Sequence, residues 1–130
     1  MTEGQAELIR YRLSRAKETL KEANELVKSG LLHGATNRIY YACFYSVVAL
    51  ILTKSLSSSK HSGVLGLFNK NFVKTGIIPK EMGKFYSRMF DNRLESDYGE
   101  LIDIEPDEII KDLAAAAEFL DLIAAVIANK

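Results

Sequence analysis

Apolar residues in the first thirty positions recur at alternating intervals of three and four residues. The series comprises Ala6, Ile9, Leu13, Ala16, Leu20, Ala23 and Val27. Because an α-helix turns once in about 3.6 residues, this spacing places the whole series on one face and predicts a first helix over residues 4 to 29. Gly30 follows the last apolar position and can adopt the left-handed conformation that ends a helix, so we expect a short first connection.

The second predicted helix is almost entirely apolar. From Ile39 to Leu52 every residue except Ser46 is apolar or tyrosine. A helix without a polar face belongs at the centre of a bundle or at a subunit contact. A segment of this length is shorter than the roughly twenty residues that a bilayer requires, so we expect a soluble chain without a transmembrane segment or membrane association.

Serine, glycine and proline mark the remaining boundaries. Serines dominate residues 55–59, and a serine just before Lys60 can cap a third helix. Gly76 and Pro79 indicate a loop, and a proline suits the first turn of a helix. We therefore predict a fourth helix from near Lys80 and a fifth from Pro106.

The apolar positions of these later helices predict which faces meet the core. For the third helix they are Val64, Leu65, Leu67, Phe68 and Phe72; for the fourth, Met82, Phe85, Tyr86, Met89 and Phe90; for the fifth, Ile110, Leu113, Ala117, Leu120, Ala124 and Ile127. No strand alternation and no internal repeat is visible. The predicted fold is all-α, an up-and-down bundle of four to five helices that forms one domain over residues 1–130.

Composition and charge narrow the class of protein. The chain has 130 residues, 48% of them hydrophobic, and a single cysteine, Cys43, so no intrachain disulfide can form. No signal or transit peptide is suggested, and we expect a cytoplasmic location. The formal net charge of zero divides into +2 for residues 1–53, +6 for 54–93 and −8 for 94–130. A basic middle segment can attract phosphates, although the two charged segments can equally neutralise each other across the bundle.

Two groups of polar residues are candidates for chemistry. Arg93 and Asp97 continue the apolar face of the fourth helix, so both point inward or into a groove and must be paired. Asn37, Arg38 and Tyr41 stand at the start of the most apolar helix. These residues either form a buried network that determines helix register or line a cleft for a phosphate or a base.

Histidines and metal ligands provide few further candidates. Lys60 and His61 stand at a helix N-terminus, where positive charge and free backbone N–H groups favour an anion, although His61 can equally be an exposed cap residue. His33 is expected on the surface. The two histidines and one cysteine have no zinc-binding spacing, so we predict no metal and no cofactor.

Three motifs in this order resemble the small stand-alone HEPN domains of prokaryotes. They are Asn37-Arg38-Ile39-Tyr40-Tyr41-Ala42-Cys43-Phe44, then Lys60-His61-Ser62-Gly63-Val64 with Phe68, then Arg93 with Asp97-Tyr98. The similarity extends over residues 5 to 125 in helix order and length. It implies a bundle of four or five helices, a homodimer, and a minimal nucleotidyltransferase as partner in a toxin–antitoxin pair. Many members are metal-independent ribonucleases.

The ribonuclease motif of that family is an arginine followed, after four to six residues, by a histidine. Arg93 matches the arginine, but Tyr98 stands five residues on and the window contains no histidine. A tyrosine with a pKa of roughly 10 is a poor base at pH 7. We therefore expect Arg93 and Tyr98 to be the remnant of the catalytic pair. Asn37, Arg38, Tyr41, Lys60, His61 and Asp97 are the candidate nucleotide- or RNA-binding residues.

The leading hypothesis is a nucleotide- or RNA-binding component whose ribonuclease activity is weak or lost. Three alternatives remain open at this point. An active metal-independent endoribonuclease would use Tyr98 or His61 in place of the missing histidine. In a regulatory role, Tyr98 would accept a nucleotide from the partner. A purely structural dimer would need the polar network only to set helix register.

Overall fold

Five helices make up the part of the chain that the computed structural model describes, which is residues 1–93 and 104–129 with the helical backbone of residues 94–98. The helices are α1 (Glu3–Lys28), α2 (Leu32–Leu52), α3 (His61–Phe68), α4 (Lys80–Tyr98) and α5 (Pro106–Ala128). A π-helical turn, Asn69–Val73, continues α3. No strand occurs in these described residues. The predicted all-α bundle is confirmed.

Local signals determine both ends of α1. At its start Gln5 N donates to Thr2 Oγ1 at 3.1 Å and Thr2 N donates to Gln5 Oε1 at 3.0 Å, a reciprocal pair that satisfies two backbone donors. At its end Gly30 has a φ of 74°, and Leu31 N donates to Leu26 O at 2.9 Å. The predicted bounds and the short connection are therefore confirmed.

The central helix α2 extends from Leu32 to Leu52 and so includes the polar residues that precede the apolar run Ile39 to Leu52. Its buried side chains include Ile39, Tyr40, Cys43 and Val47, and it packs against α1, α3, α4 and α5. By length and composition alone α2 is long and apolar enough to cross a membrane, and 56% of its most apolar window is buried within the bundle. The apolar side chains that make α2 long and hydrophobic enough for a membrane form the core of this structure.

The start of α3 differs from the prediction of a serine cap. The N-cap residue is Lys60, whose side chain carries only donors and cannot accept from the first turn. Ser58 Oγ instead accepts from Lys60 N at 3.2 Å, so the serine stabilises the turn before the helix. His61 is consequently the first residue of α3.

The predicted core face of α5 is only partly correct: Leu120 is buried, and Leu113 and Ile127 are partly buried against the core. The buried positions are Ile109, Ala116, Phe119, Leu120 and Ile123, whereas Ile110 is 53% exposed. Apolar residues occur in adjacent pairs along this helix, so periodicity alone allows two faces. The predicted face instead lines a groove of about 930 Å³ between α1 and α5.

Close contact between α4 and the π-helical turn depends on the missing side chain of Gly83. A Cβ at this buried position would lie 2.9 Å from Val73 Cγ1 and 3.0 Å from Val73 Cγ2. We predict that Gly83→Ala lowers the free energy of unfolding by about 1–3 kcal/mol, because overpacking outweighs the gain in helix propensity. Urea denaturation followed by circular dichroism measures this change.

The control is Gly66→Ala at an exposed position of α3, where an added Cβ has nothing within 4 Å. We expect this variant to gain about 0.5–1 kcal/mol from helix propensity. Trimming the opposing side chain with Val73→Ala should restore part of the stability lost in Gly83→Ala. Equal behaviour of the two glycine variants would contradict the close contact.

Candidate functional site

A cluster of aromatic rings lies where α2, α3 and α4 meet. Its members are Tyr40, Tyr41 and Phe44 from α2 with Tyr86 and Phe90 from α4; we call these five residues the aromatic cluster. Tyr40 contacts all four of the others, and its ring is stacked on that of Tyr86 with the centroids 6.1 Å apart. Tyr40 and Tyr86 are completely buried, so the cluster is continuous with the hydrophobic core.

His61 is held against this cluster by two contacts. Its ring stacks on Phe44 with the centroids 4.2 Å apart and the planes 7° from parallel. Its Nδ1 lies 2.8 Å from the Tyr40 hydroxyl oxygen. Either the hydroxyl donates to Nδ1 or Nδ1–H donates to the hydroxyl oxygen, and the two assignments require opposite tautomers of the imidazole. His61 is therefore a half-buried, oriented side chain and not an exposed cap residue.

Arg93 reaches the same cluster from α4. The central carbon of its guanidinium lies 5.2 Å from the centroid of the Tyr40 ring and 6.0 Å from that of Phe90. These are distances at which an aromatic face attracts a cation. The side chain is partly buried, in agreement with the prediction that Arg93 points inward.

The surroundings shift the pKa values of three of these groups. Burial first, and the positive charge of Arg93 second, lower the pKa of His61. Burial raises the pKa of Tyr40 to about 12, against a smaller opposite effect of Tyr86 and Arg93. Burial also raises the pKa of Tyr86 well above its ordinary value. Near neutral pH the imidazole is therefore neutral and both phenols keep their protons.

The polar residues at the start of α2 lie at the edge of this site. Arg38 Nη1 is 3.6 Å from Glu22 Oε1 on α1, and Arg38 Nη2 donates to Asn37 Oδ1 at 2.8 Å. The guanidinium also lies 5.1 Å from the Tyr41 ring centroid, and Tyr41 meets His61 edge to face at 5.6 Å. Arg38 is thus linked to the site through Tyr41 while it also pairs with α1.

The other predicted site residues have different outcomes. Lys60 is exposed beside His61. The side chains of Asp97 and Tyr98 lie outside the described residues. The predictions for those two residues therefore stay predictions.

Sequence reasoning missed the role of Tyr40, which is the residue that joins His61 to Arg93. The i, i+4 spacing of Tyr40 and Phe44 predicts that both share one helix face. Nothing in the sequence indicates that His61, 21 residues later, packs on that face. The link therefore becomes visible only once the helices are packed.

Two other features contribute nothing to this site. Burial raises the pKa of the Cys43 thiol, which is completely enclosed, so it is not a reactive nucleophile. No three histidine, cysteine, aspartate or glutamate side chains of the described residues lie together as metal ligands would.

Known proteins resemble this chain in sequence and in fold. A family model described as HEPN domain matches residues 9–126. A UPF0332 protein of Thermotoga maritima is 56% identical over 117 residues, which cover 89% of this chain and 88% of the relative. A protein of Methanocaldococcus jannaschii named "Putative toxin" is 36% identical over 96 residues, 74% of this chain and 65% of the relative.

The fold comparison agrees with the sequence comparison. The crystal structure of TT1696 from Thermus thermophilus matches with a TM-score of 0.75 at 16% identity, over 91% of this chain and 97% of that chain. At this identity the match shows a common fold. The family model and the Thermotoga relative together show that the chain belongs to the HEPN domain family.

Proposed function

We propose that this HEPN protein is a toxin-like component that binds RNA at Arg93 and acts with a minimal nucleotidyltransferase. The observation that carries the proposal is the position of Arg93 over the Tyr40 ring, 5.2 Å from its centroid, in contact with the cluster that also holds His61. The name of the Methanocaldococcus relative supports the toxin-like role.

The chemistry of the site suits a single-stranded nucleic acid. A guanidinium presents a planar set of donors that matches the oxygens of a phosphate. Tyr41 is only partly buried, and an aromatic ring that remains accessible can stack on an unpaired base at about 1–3 kcal/mol. An RNA with a phosphate bound at Arg93 and a base stacked on a neighbouring ring would use both the guanidinium donors and the aromatic surface.

The charge distribution favours the same ligand. Residues 54–93 carry a net charge of +6, and both Lys60 and Arg93 belong to this segment. Such a segment attracts a polyanion from a distance and increases its rate of association. The compensating negative charge is concentrated in residues 94–130.

The partners and the location rest on the family resemblance. A homodimer and a minimal nucleotidyltransferase are what similar HEPN proteins imply, and a cytoplasmic location is consistent with a single buried cysteine. The acidic segment 94–130 could pair with a basic surface of the partner. If the protein binds RNA without cleaving it, its nuclease activity is weak or lost. Cleavage requires, in addition, a group that accepts the proton of a 2′-hydroxyl.

We predict that Arg93→Ala weakens binding of a labelled single-stranded RNA by at least about tenfold, because a charge-assisted hydrogen bond to phosphate is lost. The dependence of affinity on salt should also become shallower, since one fewer phosphate contact releases fewer counterions. Fluorescence anisotropy at several salt concentrations measures both effects.

The matched control is Arg88→Ala, which removes the same charge from the same helix. Arg88 is exposed and pairs at 3.0 Å with Asp112, whose side chain is only 13% exposed, so the stability of this variant is measured beside its RNA affinity. We expect the RNA affinity of this variant to remain within about threefold of the unsubstituted protein. Equal losses in both variants would reduce the interaction to general electrostatic attraction, and no binding by the unsubstituted protein would refute the proposal.

A covalent role for the partner predicts a change of mass. If the nucleotidyltransferase acts on Tyr98, the phenol oxygen attacks the α-phosphorus of ATP, an adenylyl group is transferred and pyrophosphate leaves. Intact mass spectrometry after incubation with the partner and ATP should then detect the adduct, and Tyr98→Phe should abolish it. An unchanged mass of the unsubstituted protein would exclude this role.

A further inference from the structure

We propose that His61 accepts the proton of a 2′-hydroxyl during RNA cleavage by this protein, with Tyr40 as its positioning residue. His61 would then perform the task for which Tyr98 is unsuited. The inference rests on the proposed function, because the RNA must first be bound at Arg93. It also reverses the expectation of weak or lost cleavage, since the histidine comes from α3 and not from the α4 motif.

The first observation is that His61 and Arg93 share one neighbour. The Tyr40 hydroxyl oxygen lies 2.8 Å from His61 Nδ1, and the Arg93 guanidinium lies 5.2 Å from the Tyr40 ring centroid. Stacking on Phe44 at 4.2 Å restricts the imidazole further. A histidine and an arginine that contact the same tyrosine could act on one substrate, the first accepting a proton and the second stabilising a phosphorane, without a metal ion.

The second observation concerns which ring nitrogen can react. Tyr40 binds Nδ1, so Nε2 is the nitrogen that can face a substrate. For Nε2 to accept a proton, Nδ1 must carry the hydrogen and donate it to the Tyr40 oxygen. The same bond persists when the ring becomes an imidazolium, so the orientation of His61 is maintained through the step. The Tyr86 hydroxyl oxygen is buried without a hydrogen-bond partner among the described residues, and it is the acceptor that the Tyr40 hydrogen would take in this arrangement.

The third observation concerns charge. The titratable and charged groups around His61 are Tyr40 and Tyr41 from α2, Arg93 from α4, and Lys60 beside it in the chain, and Tyr86 contacts Tyr40. Burial and Arg93 lower the pKa of His61, and the buried phenols of Tyr40 and Tyr86 stay protonated. At pH 7 the imidazole is therefore neutral and can act as a base.

The proposed step conserves atoms and charge. The 2′-oxygen forms a bond to the adjacent phosphorus while its proton moves to His61 Nε2, and Arg93 donates to the phosphate oxygens. The bond from phosphorus to the 5′-oxygen then breaks, and that oxygen takes a proton from water. The imidazolium returns its proton to the resulting hydroxide. The products are a 2′,3′-cyclic phosphate and a 5′-hydroxyl, and no metal or oxidant is consumed.

The decisive experiment measures cleavage of a randomised single-stranded RNA and of bulk transfer RNA in EDTA. His61→Asn is the best variant, because its amide can still donate to Tyr40 but lacks the equivalent of Nε2. We expect it to cut about 10²–10⁴-fold more slowly while RNA affinity stays within about threefold. Arg93→Ala should lose both binding and cleavage, and Arg88→Ala neither. A 2′-deoxy substrate should resist because it lacks the nucleophile.

The outcomes separate this inference from the proposed function. Binding without cleavage by the unsubstituted protein, or full activity of His61→Asn, would refute the role of His61 and leave RNA binding intact. Absence of binding would refute both. Mass spectrometry should detect products with 2′,3′-cyclic phosphate ends. Products with 3′-phosphate ends that form without a cyclic intermediate would also contradict the step. Restoration of cleavage in His61→Gly by added imidazole would identify the missing group.

Tyr40→Phe tests the positioning role with readouts that a loss of stability alone would not change. The rate of cleavage should rise with pH as His61 loses its proton and should level off above its lowered pKa. Tyr40→Phe should slow the plateau by about tenfold and displace the acidic limb of this profile. NMR of ¹⁵N-labelled histidine should detect the Nδ1–H tautomer in the unsubstituted protein and a mixture in the variant. An Nε2–H tautomer in the unsubstituted protein, or an unchanged profile in Tyr40→Phe, would overturn the assignment.

Discussion

The contact between Tyr40 and His61 is the interaction on which the candidate site depends. Tyr40 is fully buried in the core, yet its hydroxyl lies 2.8 Å from His61 Nδ1 and its ring lies beneath the Arg93 guanidinium. A side chain packed at the density of a protein interior has little freedom to move. The positions of the histidine and the arginine are therefore set by the core itself, and not by a flexible loop.

Burial also determines the protonation states that the site needs. An enclosed phenol avoids ionisation, and an imidazole near a cation avoids a second positive charge. Tyr40 accordingly keeps its proton at neutral pH, while His61 stays neutral next to Arg93. Exclusion of water by the aromatic cluster is thus the main cause of both states, a neutral imidazole and a protonated phenol that is hydrogen-bonded to it.

Under the role proposed for His61, the histidine would come from a different helix than in the family motif. In the motif, arginine and histidine follow each other on one helix, whereas here Arg93 lies on α4 and His61 begins α3. Reactions depend on the distance between groups and not on their separation in sequence. A toxin-like role supported by the relatives is therefore compatible with a chain that has Tyr98 at the motif position.

Local sequence signals were sufficient to predict the bounds of α1 and the starts of α4 and α5, because periodicity, glycine and proline act through local geometry. They also singled out Arg93 as an inward charge. The buried face of α5 follows from the packing of the helices and not from the local pattern, since adjacent apolar pairs such as Ile109 and Ile110 fit either face. The tertiary structure alone brings His61 to Tyr40, because a contact across 21 residues depends on how the helices pack and leaves no periodic signal in the chain.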